Sequence, residues 1–198
     1  MITRLTLFRA EAFIKRNVGT LLEQQELVKR IRAGKDADPV GVGKSNYGCW
    51  RKNFDETWPL TNVDWLYNSV NELLTSAVNF YAEEDYVYSN IPRSSELTVT
   101  SWANINQPGS RNTYHTHRGH HYVACYYLQG TETGDLVLAN PANVLGDCNP
   151  EAPYTHDFSF SPKDGDLILW PAWVPHEVET NMSKRERINI AFNIRIKP

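Results

Sequence analysis

From residue 95 to the end, the sequence runs through short alternating blocks rich in β-forming residues, with no helical period between them. The blocks are SELTVTSWANI, HHYVACYYLQ, GDLVLAN, HDFSFS, GDLILW and RINIAFNIRI, and Gly, Pro, Asn and Asp punctuate the gaps. In a strand, successive side chains point to opposite faces, so such blocks read as strands of a sheet with two chemically different sides. Six or more of them within roughly a hundred residues predict a sandwich or jelly roll.

The first 90 residues read differently. Val18 to Ala33 carries Leu21, Leu22, Leu27, Val28 and Ile31 at near-helical spacing, with Gly34 as the expected C-cap. A second amphipathic stripe opens after Thr61-Asn62 and runs through Trp65, Leu66, Val70, Leu73, Leu74, Ala77 and Phe80. The stretch GKDADPVGVGKSNYGCWRKN between them reads as a polar surface loop. Its GVGKS ending lacks the upstream Gly of a phosphate-binding loop. The expected fold is therefore mainly β with flanking helices, a double-stranded β-helix (jelly roll). It forms a single domain over 1–198, with 1–90 as a helical or mixed elaboration and 95–197 as the jelly-roll core. The helices are expected to pack on one outer face of the sheets.

Net charge is −3, so no basic footprint points to nucleic acid, and any anionic substrate must be met by a local group of cations. Cys49, Cys125 and Cys148 are odd in number and form no CxxC pair. They are expected to be reduced thiols in a cytoplasmic protein. The apolar start, MITRLTLFRAEAF, is too short and interrupted for a signal peptide, and no run reaches the roughly 18 apolar residues of a membrane span. The oligomeric state is left open.

Four of the six His lie within seven residues: His115, His117, His120 and His121. Neutral imidazole suits Fe, Zn, Cu and Ni. Residues i and i+2 of a strand share a face, so His115 and His117 can reach one point, and His176, after GDLILW and the turn PAWVP, can supply a third ligand. Such a site leaves open positions for O2 and other molecules. The plain alternative is a group of surface His on a loop.

Arg187 stands eleven positions after His176 and opens the strand RINIAFNI. In a jelly roll it is expected on a strand beside the one carrying His176, projecting into the same cavity. A guanidinium offers a forked partner to a carboxylate. A metal with open positions plus a buried Arg suits 2-oxoglutarate, whose oxo acid chelates iron and whose distal carboxylate needs a cation. A surface ion pair with Glu177 or Glu186 is the competing role for Arg187. Asn189, Asn112 and Tyr126 are expected to help hold the oxo acid, and Asn193 shares the face of Arg187 and Asn189 by period two. Tyr114, His121, Trp170, Trp173, Trp50 and Arg51 are expected to line the substrate pocket. Tyr47, Trp50, Arg51 and Lys52 form an aromatic and cationic group suited to a polar or anionic substrate. Core packing or strand hydrogen bonding competes with each of these roles.

The order SWANINQPGSRNTYHTH, YVACYYLQ, GDLVLANP, FSFSPKDGDLILWPAWVPHEVETN and RERINIAFNI resembles the Fe(II)/2-oxoglutarate-dependent dioxygenases, closest to the bacterial and phage group. The resemblance covers about 96–196 well and the first 90 residues loosely. It implies Fe(II) as cofactor and 2-oxoglutarate as cosubstrate. It also implies O2 and a small-molecule or peptidyl substrate, hydroxylated with release of succinate and CO2. One position departs from the family's HxD or HxE: residue 117 is His. It is expected as third ligand, against a ring that points away and leaves an open position as in halogenase-like members, or a site completed by another residue. A neutral third ligand increases attraction for the dianionic cosubstrate but disfavours high iron oxidation states. Two other classes compete. A cupin-type metalloprotein (dioxygenase, isomerase or binding protein) explains HTH with His121 but has no need of Arg187. A non-catalytic jelly-roll module needs no metal.

Overall fold

The computed structural model describes residues 10–83, 96–140 and 156–197. Cys148 and the first nine residues of the apolar start lie outside the described residues. In chain order the elements are β1 (Phe13–Lys15), α1 (Leu21–Ala37), β2 (Asn46–Asn53), α2 (Asp64–Glu83), β3 (Glu96–His115), β4 (Tyr122–Gln129), β5 (Leu136–Leu138), β6 (Phe158–Phe160), β7 (Leu167–Pro171), β8 (His176–Val178) and β9 (Arg187–Lys197).

Helix α1 starts at a capping box: the Glu23 amide donates to Thr20 Oγ1, and Glu23 Oε2 accepts from the Thr20 amide at 2.7 Å. The expected stop at Gly34 is not used, and the helix runs on to Ala37. Gly34 serves packing instead, because a Cβ there would lie 2.5 Å from the Trp58 ring. The expected polar loop is a second correction. Its last eight residues form β2, paired antiparallel with β3 from Asn46↔Asn112 to Asn53↔Trp102. Short polar sequences lack an alternation signal, and here the neighbouring strand supplies the order.

All ladders are antiparallel, in the order β1-β7-β4-β9-β3-β8-β5-β6, with β2 on β3. The long strand β3 joins two runs. Residues 96–106 pair with β9, while Asn112 and His115 pair with β8 after a register shift. The antiparallel jelly roll read from the strand blocks is thus present. β9 does not lie directly beside β8, as expected from sequence; β3 separates them.

Two apolar clusters sit on opposite faces of the main run. Tyr122, Ala124, Tyr126 and Leu128 of β4, Leu167 and Leu169 of β7, and the Ile188–Ile194 face of β9 pack with Leu27 and Ile31 of α1 and Leu66, Val70 and Leu73 of α2. Val123, Cys125 and Tyr127 pack with Leu136, Phe160, Ile168 and Trp170 inside the roll. The helices therefore cover one face, as the amphipathic stripes implied.

Candidate active site

Inside the roll, His115, His117 and His176 converge, with one ring nitrogen from each lying within 4.8 Å of the others. His115 is the last residue of β3, and His176, its register partner, is the first residue of β8. His117 lies just beyond β3, its amide bonded to the Ala172 carbonyl at 3.1 Å. The HxH pair thus converges at a strand end and not within a strand.

The donor set fits a transition metal. His115 Nδ1 donates to the Thr113 carbonyl at 2.6 Å, and His176 Nδ1 donates to the Val174 carbonyl at 3.1 Å. Each bond orients its ring and leaves Nε2 with the lone pair, the arrangement found behind metal-bound imidazoles. The Nε2 atoms of His117 and His176 are 3.2 Å apart. Burial and the neighbouring His115 push His176 down to about 3 and His117 to about 4, and burial lowers His115 as well. All three rings are therefore neutral near pH 7, as ligation requires. Trp102 stacks with His117, and Trp170 meets His176 edge to face at 5.0 Å.

The three rings face a cavity of about 280 Å³. On its sheet wall, Trp102 and Asn104 of β3, Val123, Cys125 and Tyr127 of β4, and Asn189, Ala191 and Asn193 of β9 follow period two. Arg187 belongs to the same face at the inner end of β9, opposite Asn106 and completely buried. Its Nη1 donates to the carbonyls of Thr133 at 3.2 Å and Gly134 at 3.4 Å, while Nε and Nη2 have no partner. The titratable groups around it are Tyr127, Cys125 and Cys49. Burial pushes Cys125 up to about 12, Tyr127 well above its ordinary value and Cys49 upward, so all three are uncharged near pH 7.

Residues 100–193 match the family model described as "Putative 2OG-Fe(II) oxygenase". This stretch of the chain is similar to the 2OG-Fe(II) oxygenases. The fold of the chain is similar to a Pseudomonas putida prolyl-4-hydroxylase, at 16% identity over 94% of this chain and 93% of that one, with a TM-score of 0.65. SnoK, a non-heme α-ketoglutarate-dependent carbocyclase from nogalamycin biosynthesis, is 12% identical over 94% of this chain and 79% of its own, with a TM-score of 0.63. HygX from Streptomyces hygroscopicus, solved with nickel and 2-oxoglutarate bound, is 10% identical over 93% and 82%, with a TM-score of 0.59. These likenesses carry the double-stranded β-helix fold. No curated protein matches the chain, and nothing among the comparisons supports the cupin alternative.

Besides the three imidazoles, the cavity takes in Asn112, Asn189, Trp170 and Arg51 of the residues expected from sequence. It excludes six others. Arg187 is completely buried and does not line the cavity, although it continues the β9 face that does. Tyr126 faces the helices, and its hydroxyl donates to the Val18 carbonyl at 2.7 Å. Trp50 is also on the helix side, its Nε1 donating to the Asp38 carbonyl at 2.7 Å. Tyr114 and Trp173 are 61% and 42% exposed and do not line the cavity. His121 accepts from the Ile196 amide at 3.1 Å, away from it. Sequence reasoning missed Tyr127, Trp102 and Asn104, as well as Lys44, Ser45 and Arg118 at the rim. The alternation in TSWANIN carried a signal for Trp102 and Asn104. Nothing in the all-apolar YVACYYL favoured Tyr127 over Tyr126.

Proposed function

We propose that this protein is an Fe(II)- and 2-oxoglutarate-dependent oxygenase that hydroxylates a small-molecule or peptidyl substrate, with His115, His117 and His176 as the iron ligands and Arg187 as the anchor for the distal carboxylate of 2-oxoglutarate. In balanced form, R–H, O2 and 2-oxoglutarate give R–OH, succinate and CO2. Bound Fe(II) supplies the O2 activation that couples decarboxylation of the oxo acid to substrate oxidation.

The protein's own part is orientation. The Thr113 and Val174 carbonyls hold two imidazoles with Nε2 toward the common point. Trp102 and Trp170 pack on the rings of His117 and His176 and limit their rotation. Among the described residues no Asp or Glu lines the cavity, which supports His117 as the third ligand. Asn104 Nδ2 donates to Asn189 Oδ1 at 2.7 Å, fixing a carboxamide next to Arg187 along the β9 face.

The observation that carries the proposal is Arg187. A guanidinium with no exposed surface and two unpartnered donor nitrogens is costly unless an anion joins it. The carbonyls of Thr133 and Gly134 hold one arm of the fork and leave the rest for a carboxylate. Anaerobic titration with Fe(II) and 2-oxoglutarate tests it through the weak visible charge-transfer band of the chelate. The band is expected in the parent protein, absent in H176A, and reached only at higher 2-oxoglutarate in R187A. A parent protein without the band would overturn the proposal.

A further inference from the structure

The cavity in front of the three imidazoles is electrostatically one-sided. Lys44, Arg51 and Arg118 line it, and among the described residues no carboxylate does. The whole chain carries a net charge of −3, so this accumulation of positive charge is local. Arg187 is already assigned to the cosubstrate, which leaves three cations at the outer part of the cavity without a role.

Arg51 is the most constrained of them. It comes from β2, opposite Asn104 of β3, and its guanidinium lies over the Trp102 ring at 4.2 Å from the centroid. The same indole stacks with His117 at 6.0 Å, which puts the cation close to the proposed iron ligands. Its neighbour Lys52 pairs with Asp38 at 3.2 Å. Arg51 pairs with no carboxylate among the described residues, and its Nε is buried without a partner. A guanidinium held by its face against an indole keeps its planar edge free, and that edge matches a carboxylate or phosphate. Lys44 and Arg118 are exposed and sit beside Ser45 and His117, where they add attraction at longer range.

The ligand set points the same way. With three neutral imidazoles, the charges of Fe(II) and the 2-oxoglutarate dianion cancel. A carboxylate ligand would leave a net negative centre that repels an anion arriving next to it.

We infer that the substrate of this oxygenase is a small oxyanion-bearing molecule, its carboxylate or phosphate docking on Arg51, with Lys44 and Arg118 drawing it in. This rests on the proposed function, because it takes Arg187 to be occupied by the cosubstrate. The cavity of about 280 Å³ has to admit the cosubstrate as well, which favours a small acid.

The test uses protein loaded with Ni(II), a redox-inert substitute, and saturating 2-oxoglutarate, so that binding is read without turnover. Inorganic phosphate and acetate are titrated in separately by calorimetry, and the tighter of the two identifies the oxyanion class. Saturable binding is expected, weakened about tenfold or more in R51Q and only partly restored in R51K, because a charge-assisted hydrogen bond is lost. If R51Q does not fold, the K44Q/R118Q double variant takes its place, with a weakening of roughly threefold that vanishes at high salt. No saturable binding in the parent, or unchanged affinity in the variants, overturns the inference. The 2-oxoglutarate affinity of the same samples reports on the underlying reading separately. Should the parent fail to bind 2-oxoglutarate, the proposed function falls. Should it bind normally while neither anion does, only the substrate class falls.

Discussion

The two faces of β9 present opposite chemistries a single peptide apart. Ile188, Ile190, Phe192 and Ile194 are completely buried against the helix-side core, where Tyr67 of α2 meets the Phe192 ring edge to face. Asn189, Ala191 and Asn193 alternate with them and line the cavity, and Arg187 continues the same face by period two. On the helix side these β9 side chains pack against other apolar groups. On the cavity side, buried polar atoms stay unpartnered: Nε and Nη2 of Arg187, Oδ1 of Asn193 and Nε1 of Trp170. Native interiors rarely leave such atoms alone, and where they do the missing partner is often a ligand. One face is finished by folding, and the other is finished by what binds.

The sharpest way to break this contrast is at the imidazoles. H176A should lower Fe(II) affinity by on the order of a hundredfold or more while the protein stays folded, because a neutral buried ring is lost and no charge is stranded. Metal titration followed by circular dichroism reads both effects. Unchanged Fe(II) affinity would remove His176 from the ligand set.

On the opposite face, F192A should cost about 3–5 kcal/mol of stability through the cavity it leaves. Chemical denaturation measures it, and the Fe(II) affinity of the folded fraction should match the parent. A variant that lost metal binding without losing stability would show that the two faces are not independent.

Arg187 lies at the meeting point of the two regimes. R187A should weaken 2-oxoglutarate by about ten- to a hundredfold and leave Fe(II) affinity alone. R187K should recover only part of the loss, since an ammonium lacks the fork. R187M should be at least as stable as the parent in the absence of 2-oxoglutarate, because it removes a buried charge that lacks a counterion. A marked loss of stability in R187M would mean that the guanidinium is structural.

Acid should weaken the metal-free protein through the cavity face. His176 is held at about 3 and His117 at about 4 in the native state, against 6.5 for an unperturbed ring. Between pH 6.5 and 4 the unfolded chain therefore binds protons that the native site refuses. Stability is full above that window and falls as pH drops, by up to about 1.4 kcal/mol per pH unit for each group. Denaturation midpoints from pH 7 to 4 should show this slope, and H176N should flatten it. A slope unchanged in H176N would assign the effect to other groups.

The smallest effect separates two adjacent tyrosines. Y126F should lose about 1 kcal/mol with its bond to the Val18 carbonyl and leave 2-oxoglutarate affinity untouched. A fall in that affinity would return Tyr126 to the oxo acid site.

The strand blocks, the two helices and the convergence of His115, His117 and His176 were legible because each rests on a strong local pattern. Arg187 opens β9 as expected, but its neighbour proved to be β3 and not β8, and it does not line the cavity. Trp50 and Tyr126 went to the wrong side of the sheet. Tyr114, His121 and Trp173 were placed in the cavity for their nearness in sequence to the ligands, a weak guide at the ends of strands, where the backbone turns away.

By itself the sequence determined that this chain must close antiparallel strands around a polar face, because alternation in RINIAFNI separates Arg and Asn from Ile and Phe. It also determined which three imidazoles are available and that no carboxylate follows His115 at the second position. Only the tertiary structure decided that Tyr127 and not Tyr126 lines the cavity, that a polar stretch becomes β2, and that Arg51 reaches over Trp102. In β4 both faces are buried, so its alternation sets apolar against apolar and carries no sign. In β2 the order is imposed by β3, through backbone hydrogen bonds that any sequence can make.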